Sequence, residues 1–212
     1  MHVMFLCLVG MVLGISGADS QRISVLDTDD FPSKFLAGRD HVGSFMDLMK
    51  SHFDTSLDFL FASKFYGSQY IERPGMAKLL AEESDRHWEE GMDVLKKYLQ
   101  LGGVTHEDGF LDKMSFTSKN VLPSQTEPSH VKYISSLKAV MGKSRDMVNA
   151  YTDLNHEAGR KHGGNGDADV SHFLQEKAEK ESEVARKMAG HYVTLQKMDA
   201  SGIALGIFDK EL

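Results

Sequence analysis

Apolar residues recur at three- and four-residue steps along most of this chain, and strict alternation of apolar and polar residues is nearly absent. Val42, Phe45, Met46, Met49, Phe53, Leu57 and Leu60 form one such stripe, which predicts a long helix from His41 to about Tyr66. Gly67 permits a break. Arg73-Pro74-Gly75 then opens a second helix with proline in the first turn, where its missing N–H costs nothing. That helix ends at Gly102-Gly103. A long connection from Val104 to about Glu127 has no sustained period, and Pro128 starts a third helix with Val131, Ile134, Leu137, Met141, Val148, Tyr151 and Leu154 as its buried stripe. Lys161 to Asp169, KHGGNGDAD, is a glycine-rich break. A fourth helix from about Val170 to Met198 turns Phe173, Val184, Met188, Tyr192 and Leu195 inward, and Ser201-Gly202 leads into a last short apolar segment, IALGIF. Four helices of similar length with a long second connection predict an all-α, up-down-down-up bundle with one crossover and a short C-terminal fifth helix.

The second helix carries the densest chemistry. Glu82, Asp85 and Glu89 stand at i, i+3 and i+7, so they share one stripe, which Asp93 extends. Like charges at these spacings repel, which predicts a solvated face with something positive nearby. His87 and Glu90 lie one turn apart, in the order opposite to the Glu-x-x-His motif by which di-iron bundles hold metal.

The first residues stand outside the bundle pattern. Met1 to Ala18 has an apolar run from about Val3 to Ile15 and no acidic residue, with small residues at Ser16 and Ala18, as in a cleaved secretory signal. The run is shorter than the ~20 residues a membrane-spanning helix needs. The expected organisation is a signal at 1–18 and one bundle domain at 19–212, secreted or within the secretory pathway. The lone cysteine, Cys7, lies in the signal, so no disulfide is expected and stability must come from the core or from assembly. A formal net charge of -7 argues against nucleic acid or anionic membrane as a partner and is compatible with handling cations. Methionines at helical spacing, such as Met46, Met49, Met141 and Met188, read as core rather than as soft-metal ligands.

The Arg-Pro-Gly before the second helix, the Gly-Gly at its end and the terminal SGIALGIFDK, Ser201 to Lys210, resemble animal ferritin, in which a serine-glycine turn, a short apolar helix and a Phe-Asp-Lys close follow the fourth helix. The similarity runs from about Val42 to the C-terminus. With the secretory signal in front, the chain resembles a secreted invertebrate-type subunit. The resemblance implies a ferritin-like bundle and a shell of twenty-four subunits storing iron as a ferric mineral. Catalytic, heavy-type subunits of that family oxidise iron(II) inside the bundle. Mapped onto this chain, the first-helix glutamate of that site falls at His52 and its tyrosine at Phe59. Its Glu-x-x-His falls at His87 and Glu90, its third-helix glutamate at Val140, and its fourth-helix glutamine at Glu181 or Ser182.

None of the clearly aligned positions keeps its residue. The resemblance therefore implies a light-chain-like, non-catalytic subunit that contributes shell structure and mineral nucleation. Oxidation would come from a heavy-type partner. Asp85 and Glu89 match acidic nucleation positions, with Glu82 beside them; another such position falls on Arg86. The alternative is a ferroxidase-active subunit with an altered metal site at His52, His87 and Glu90, and a third reading is a secreted helical binding protein that forms no shell. Acidic channel positions of the family fall near His172 and Gln175, with Asp167 and Asp169 just upstream. Ile203, Leu205 and Ile207 are expected to be buried in the bundle or at a subunit contact.

Overall fold

The computed structural model describes residues 42–101, 103, 114, 129–160, 168–198 and 202–212. The secretory signal expected at 1–18 lies outside them, as do Asp167 and most of the long second connection. Five helices form: α1 (Val42–Tyr66), α2 (Pro74–Gln100), α3 (Ser129–Arg160), α4 (Ala168–Lys197) and α5 (Ile203–Glu211). No strand occurs among the described residues. None of the described helices is long and apolar enough to cross a membrane.

Side-chain contacts give the helix directions. Ser84 Oγ donates to the Ser56 carbonyl at 2.8 Å, pairing α1 and α2 antiparallel together with the packing of Phe53 against Gly91. A Cβ on Gly91 would stand 2.9 Å from the Phe53 ring, so only glycine permits this close approach. Ser171 of α4 bonds Asn155 of α3 at 2.6 Å across the second hairpin. Tyr66 meets Ser136 at 2.8 Å and His52 meets Tyr151 at 2.6 Å, so α1 and α3 also run antiparallel. The chain therefore goes up, down, down and up. α2 and α3 thus point the same way, as a bundle with one crossover requires.

The start of α2 is secured from outside its own sequence. Arg73 at its N-cap makes no side-chain cap bond, and Pro74 occupies the first turn. The Gly75 and Met76 N–H groups instead donate to the Asp209 carboxylate of α5, at 3.1 and 2.9 Å. A carboxylate on those donors satisfies groups with no intrahelical partner and complements the helix dipole.

Two apolar clusters fill the bundle. Phe45, Met49, Phe53, Val94, Tyr98, Met147, Leu154 and Leu174 form one; Phe59, Tyr66, Met76, Leu80, Tyr133, Leu137, Val140, Met188 and Leu195 form the other, which α5 closes with Leu205 and Phe208. Buried polar residues occupy the middle of all four long helices: His52 and Ser56 on α1, Glu83 and His87 on α2, Ser144 on α3 and Glu181 on α4. Met46, Met49 and Met188 are buried as the helical spacing predicts. Val131, by contrast, is 36 % exposed, because it sits in the first turn of α3, at the end of the bundle. Of the three apolar residues expected to be covered on α5, only Leu205 is buried within the chain. Ile203 and Ile207, one turn apart, are 85 % and 55 % exposed.

Candidate functional site

On α2, Glu83, Arg86, His87 and Glu90 stand at i, i+3, i+4 and i+7, one helical face, and all four turn toward the other helices. Arg86 is the hub. Its Nη1 and Nη2 donate to the two Glu181 oxygens of α4 at 2.6 and 3.2 Å, its Nε donates to Glu83 at 2.8 Å, and Nη2 also reaches His87 Nε2 at 3.1 Å. His87 Nδ1 faces His52 Nδ1 at 3.0 Å, and His52 Nε2 meets the Tyr151 hydroxyl at 2.6 Å. Phe59 packs its ring on His87 at 5.6 Å, and Val140 is fully buried.

The fixed charge of Arg86 orders the protons along this chain of contacts. A guanidinium only donates, so His87 Nε2 accepts and its proton sits on Nδ1. His87 Nδ1–H then donates to His52 Nδ1, and His52 Nε2–H donates to the Tyr151 oxygen. Both imidazoles are neutral. Burial, reinforced by the Arg86 charge, lowers the His52 pKa to about 3 and holds that of His87 well below its ordinary value. Burial likewise raises the Glu181 carboxyl above its usual range, against the pull of Arg86. Burial opposes the Arg86 charge, yet Glu181 and Glu83 together raise its pKa. Tyr151 is pushed well up by burial and by the nearby Glu90 and Glu181 carboxylates.

This donor set does not fit a pair of iron ions. Two ferric ions need several carboxylates, at least one of them bridging. Here Glu181 and Glu83 both neutralise a permanent cation, and Val140 offers no donor. His52, His87 and Glu181 do place one ligand atom each within 4.8 Å of one another.

The sequence-predicted residues separate accordingly. His52 and His87 come together, but the third member beside them is Glu181, which sequence reasoning named only as one of two aligned positions. Glu90 pairs with the buried Lys177, which also holds Asp93 at 2.9 Å. Arg86, Lys177 and Tyr151 were not predicted in these roles; the one available signal was that Arg86 shares the helix face of His87. Glu82, Asp85 and Glu89 are all exposed, as their stripe predicts. Glu82 lies 3.8 Å from Lys78, while neither Asp85 nor Glu89 has an ion pair among the described residues. Arg86 turns inward and does not neutralise the stripe. Asp93 is drawn off it by Lys177 and Lys96. At the far end of α2, a cleft of about 300 Å³ is lined by Asp93, Lys96, Lys97, Asp169, His172 and Phe173. Asp169 is paired with Lys97 there, and Gln175 is exposed.

No family model matches the chain. It is 21 % identical to a ferritin light chain of Drosophila melanogaster over 221 residues, a match covering 99 % of this chain and 95 % of that relative.

Proposed function

We propose that this chain is an iron-storage ferritin subunit of the light-chain kind, secreted after removal of residues 1–18. It contributes to a shell of twenty-four subunits and to ferric mineral nucleation, and a heavy-type partner supplies oxidation. The observation that carries this reading is the Arg86–Glu181–Glu83 cluster. A guanidinium bound to both carboxylates and to the neutral His87, together with a valine at position 140, removes the oxygen donors that a two-iron oxidation site requires. The full-length similarity to a ferritin light chain supports the same reading.

Iron is the cargo here rather than a resident cofactor. Ferric ions are hard cations that prefer carboxylate oxygen. Asp85 and Glu89, exposed beside Glu82 and without an ion pair among the described residues, supply such oxygens. Co-expression with a heavy-type subunit tests the proposal. Mixed shells, with mineral loading that depends on this chain and oxidation that depends on its partner, are expected. A product that remains monomeric or dimeric both alone and with the partner refutes the shell.

The rival is an oxidising subunit with an altered site, favoured by the proximity of His52, His87 and Glu181. Aerobic iron(II) oxidation by the chain alone, fast and lost in His87→Ala, selects the rival; slow oxidation unaffected by that change selects the light-chain reading.

A further inference from the structure

We propose that α5 is a proton-sensitive latch, seated on the bundle while His191 of α4 is neutral and loosened when that imidazole takes up a proton. α5 is nine residues long. A helix that short does not persist in water by itself, so its order depends on what it docks against. Three of its side chains hold it. Leu205 is buried in the apolar cluster, and Asp209 caps α2 through the Gly75 and Met76 N–H groups. Phe208 meets two rings edge to face: Tyr133 of α3, with centroids 6.1 Å apart and planes at 79°, and His191 of α4, at 5.9 Å and 84°. The helix starts at Gly202, whose φ of 60° is a conformation glycine adopts freely, so the backbone has a pivot there.

Imidazole is the side chain that gains charge just below neutral pH. The His191 ring is half-buried, and its Nε2 is covered, with no hydrogen-bond partner among the described residues. The neutral ring meets this by carrying its proton on Nδ1, because a bare lone pair is less costly to bury than an N–H without an acceptor. A second proton then goes to Nε2, where it makes a charged N–H that faces protein and no acceptor. Lifting α5 takes Phe208 off the ring and readmits water. The charged and titratable groups nearby give the added charge no relief. Lys187, one turn earlier on α4, repels it. Lys138 of α3 lies over the ring of Tyr192, the next residue, and Arg73 ahead of α2 stands beside Gly206. On α5, Asp209 is engaged by α2 and Tyr133, while Lys210 and Glu211 are exposed. Burial and the Lys187 charge accordingly hold the His191 pKa below its ordinary value. The undocked ring takes up its proton near 6.5 and the docked ring only at lower pH, so docking is at full strength above 6.5 and weakens as the pH falls. What the latch sets is the placement of Ile203 and Ile207, the exposed apolar pair on the outer side of α5. The device does not depend on shell formation.

Hydrogen exchange of the α5 amides in the full chain, compared at about pH 7.5 and about pH 5.5 after correction for the intrinsic rate, tests the latch. One linked proton lowers α5 protection by up to about tenfold per pH unit below 6.5, and a loss of at least about threefold is expected. His191→Phe keeps an aromatic ring against Phe208 and cannot titrate, so its α5 protection is expected to be independent of pH; His191→Gln is expected to behave likewise. His52→Gln, which removes a titrating group from the bundle centre, is expected to leave the α5 response in place. Wild-type protection that does not change with pH overturns the latch, as does an unaltered response in His191→Phe or a response abolished by His52→Gln. Nitrogen chemical shifts give a check that needs no variant: His191 is expected to titrate below 6.5 in the intact chain, and titration at or above 6.5 overturns the proposal.

Discussion

Asp209 Oδ1 accepts a hydrogen bond from the Met76 backbone N–H at 2.9 Å, joining the last helix of the chain to the first turn of α2 across 133 residues of sequence. Tyr133 of α3 donates to the same oxygen at 3.0 Å, so three helices meet at one buried carboxylate. Removing it leaves the α2 N–H groups and the Tyr133 hydroxyl without that acceptor. Asp209→Ala is expected to cost roughly 2–3 kcal/mol, the sum of a lost helix cap and a buried unsatisfied hydroxyl. Asp209→Asn keeps one acceptor oxygen and costs less. Urea denaturation gives the stability change, and faster hydrogen exchange confined to α5 and the first turn of α2 locates it. Gly75→Ala is expected to loosen the same joint, because a Cβ there would overlap the Asp209 backbone carbonyl.

Arg86→Met is predicted to destabilise the metal-free chain by about 3–5 kcal/mol, since it strands the buried Glu181 and Glu83 carboxylates. Neutralising one of the stranded charges with Glu181→Gln in the same protein should recover part of that loss. Thermal unfolding of the two single variants and the double variant closes the cycle. Simple additivity of the two losses would show that the ion pair carries no coupling.

Stability of the metal-free chain should fall as the pH drops from neutral. The His52 pKa is lowered from 6.5 to about 3 by burial, and that of His87 is lowered in the same direction. The unfolded chain therefore takes up protons below about 6.5 that the folded chain refuses, so stability is full above that value and is lost progressively toward about 3. Glu181, with its pKa raised, opposes this at the acid end, contributing stability that fades as the pH rises through its folded value. Urea midpoints at about pH 7 and about pH 5 give the slope, and His52→Gln should flatten it by about one proton.

The helices and their order were legible in the sequence because each is bounded by local chemistry. Pro74 opens α2, Pro128 immediately precedes α3, and apolar residues recur at helical spacing within each element. The polar centre was only half legible. Periodicity places His87 and Arg86 on one face of α2, but it does not say which polar residue reaches across to which helix. Glu90, one turn from His87, is taken by Lys177 of α4; Glu181 faces Arg86 instead. Tyr151 fits the apolar stripe of α3 and is indeed fully buried, while its hydroxyl serves His52. The Asp209 joint was hidden for a different reason. The Arg-Pro-Gly and Phe-Asp-Lys motifs are far apart in the chain, and only the fold shows that one caps the other.

The acidic stripe of α2 yields a prediction with opposite effects on stability and on mineral. Glu82, Asp85 and Glu89 are exposed, and the one ion pair they make among the described residues, Lys78 with Glu82, joins two largely exposed side chains at 3.8 Å. Exposed pairs of that kind contribute little, about 0–1 kcal/mol. Replacing all three by Gln, Asn and Gln should therefore leave the unfolding midpoint unchanged or slightly raised, because like charges at helical spacing repel. The same replacement removes three solvent-facing carboxylates, the oxygens that the proposed function assigns to ferric ions. Under the proposed function it should, in mixed shells, lengthen the lag before mineral growth and leave the rate of iron(II) oxidation, which that proposal assigns to the partner, as it was. Absorbance of the ferric core measures the first and oxygen uptake the second. An unaltered lag would assign nucleation to other residues, whereas slowed oxygen uptake would mean that the stripe takes part in delivering iron(II) to the oxidising site.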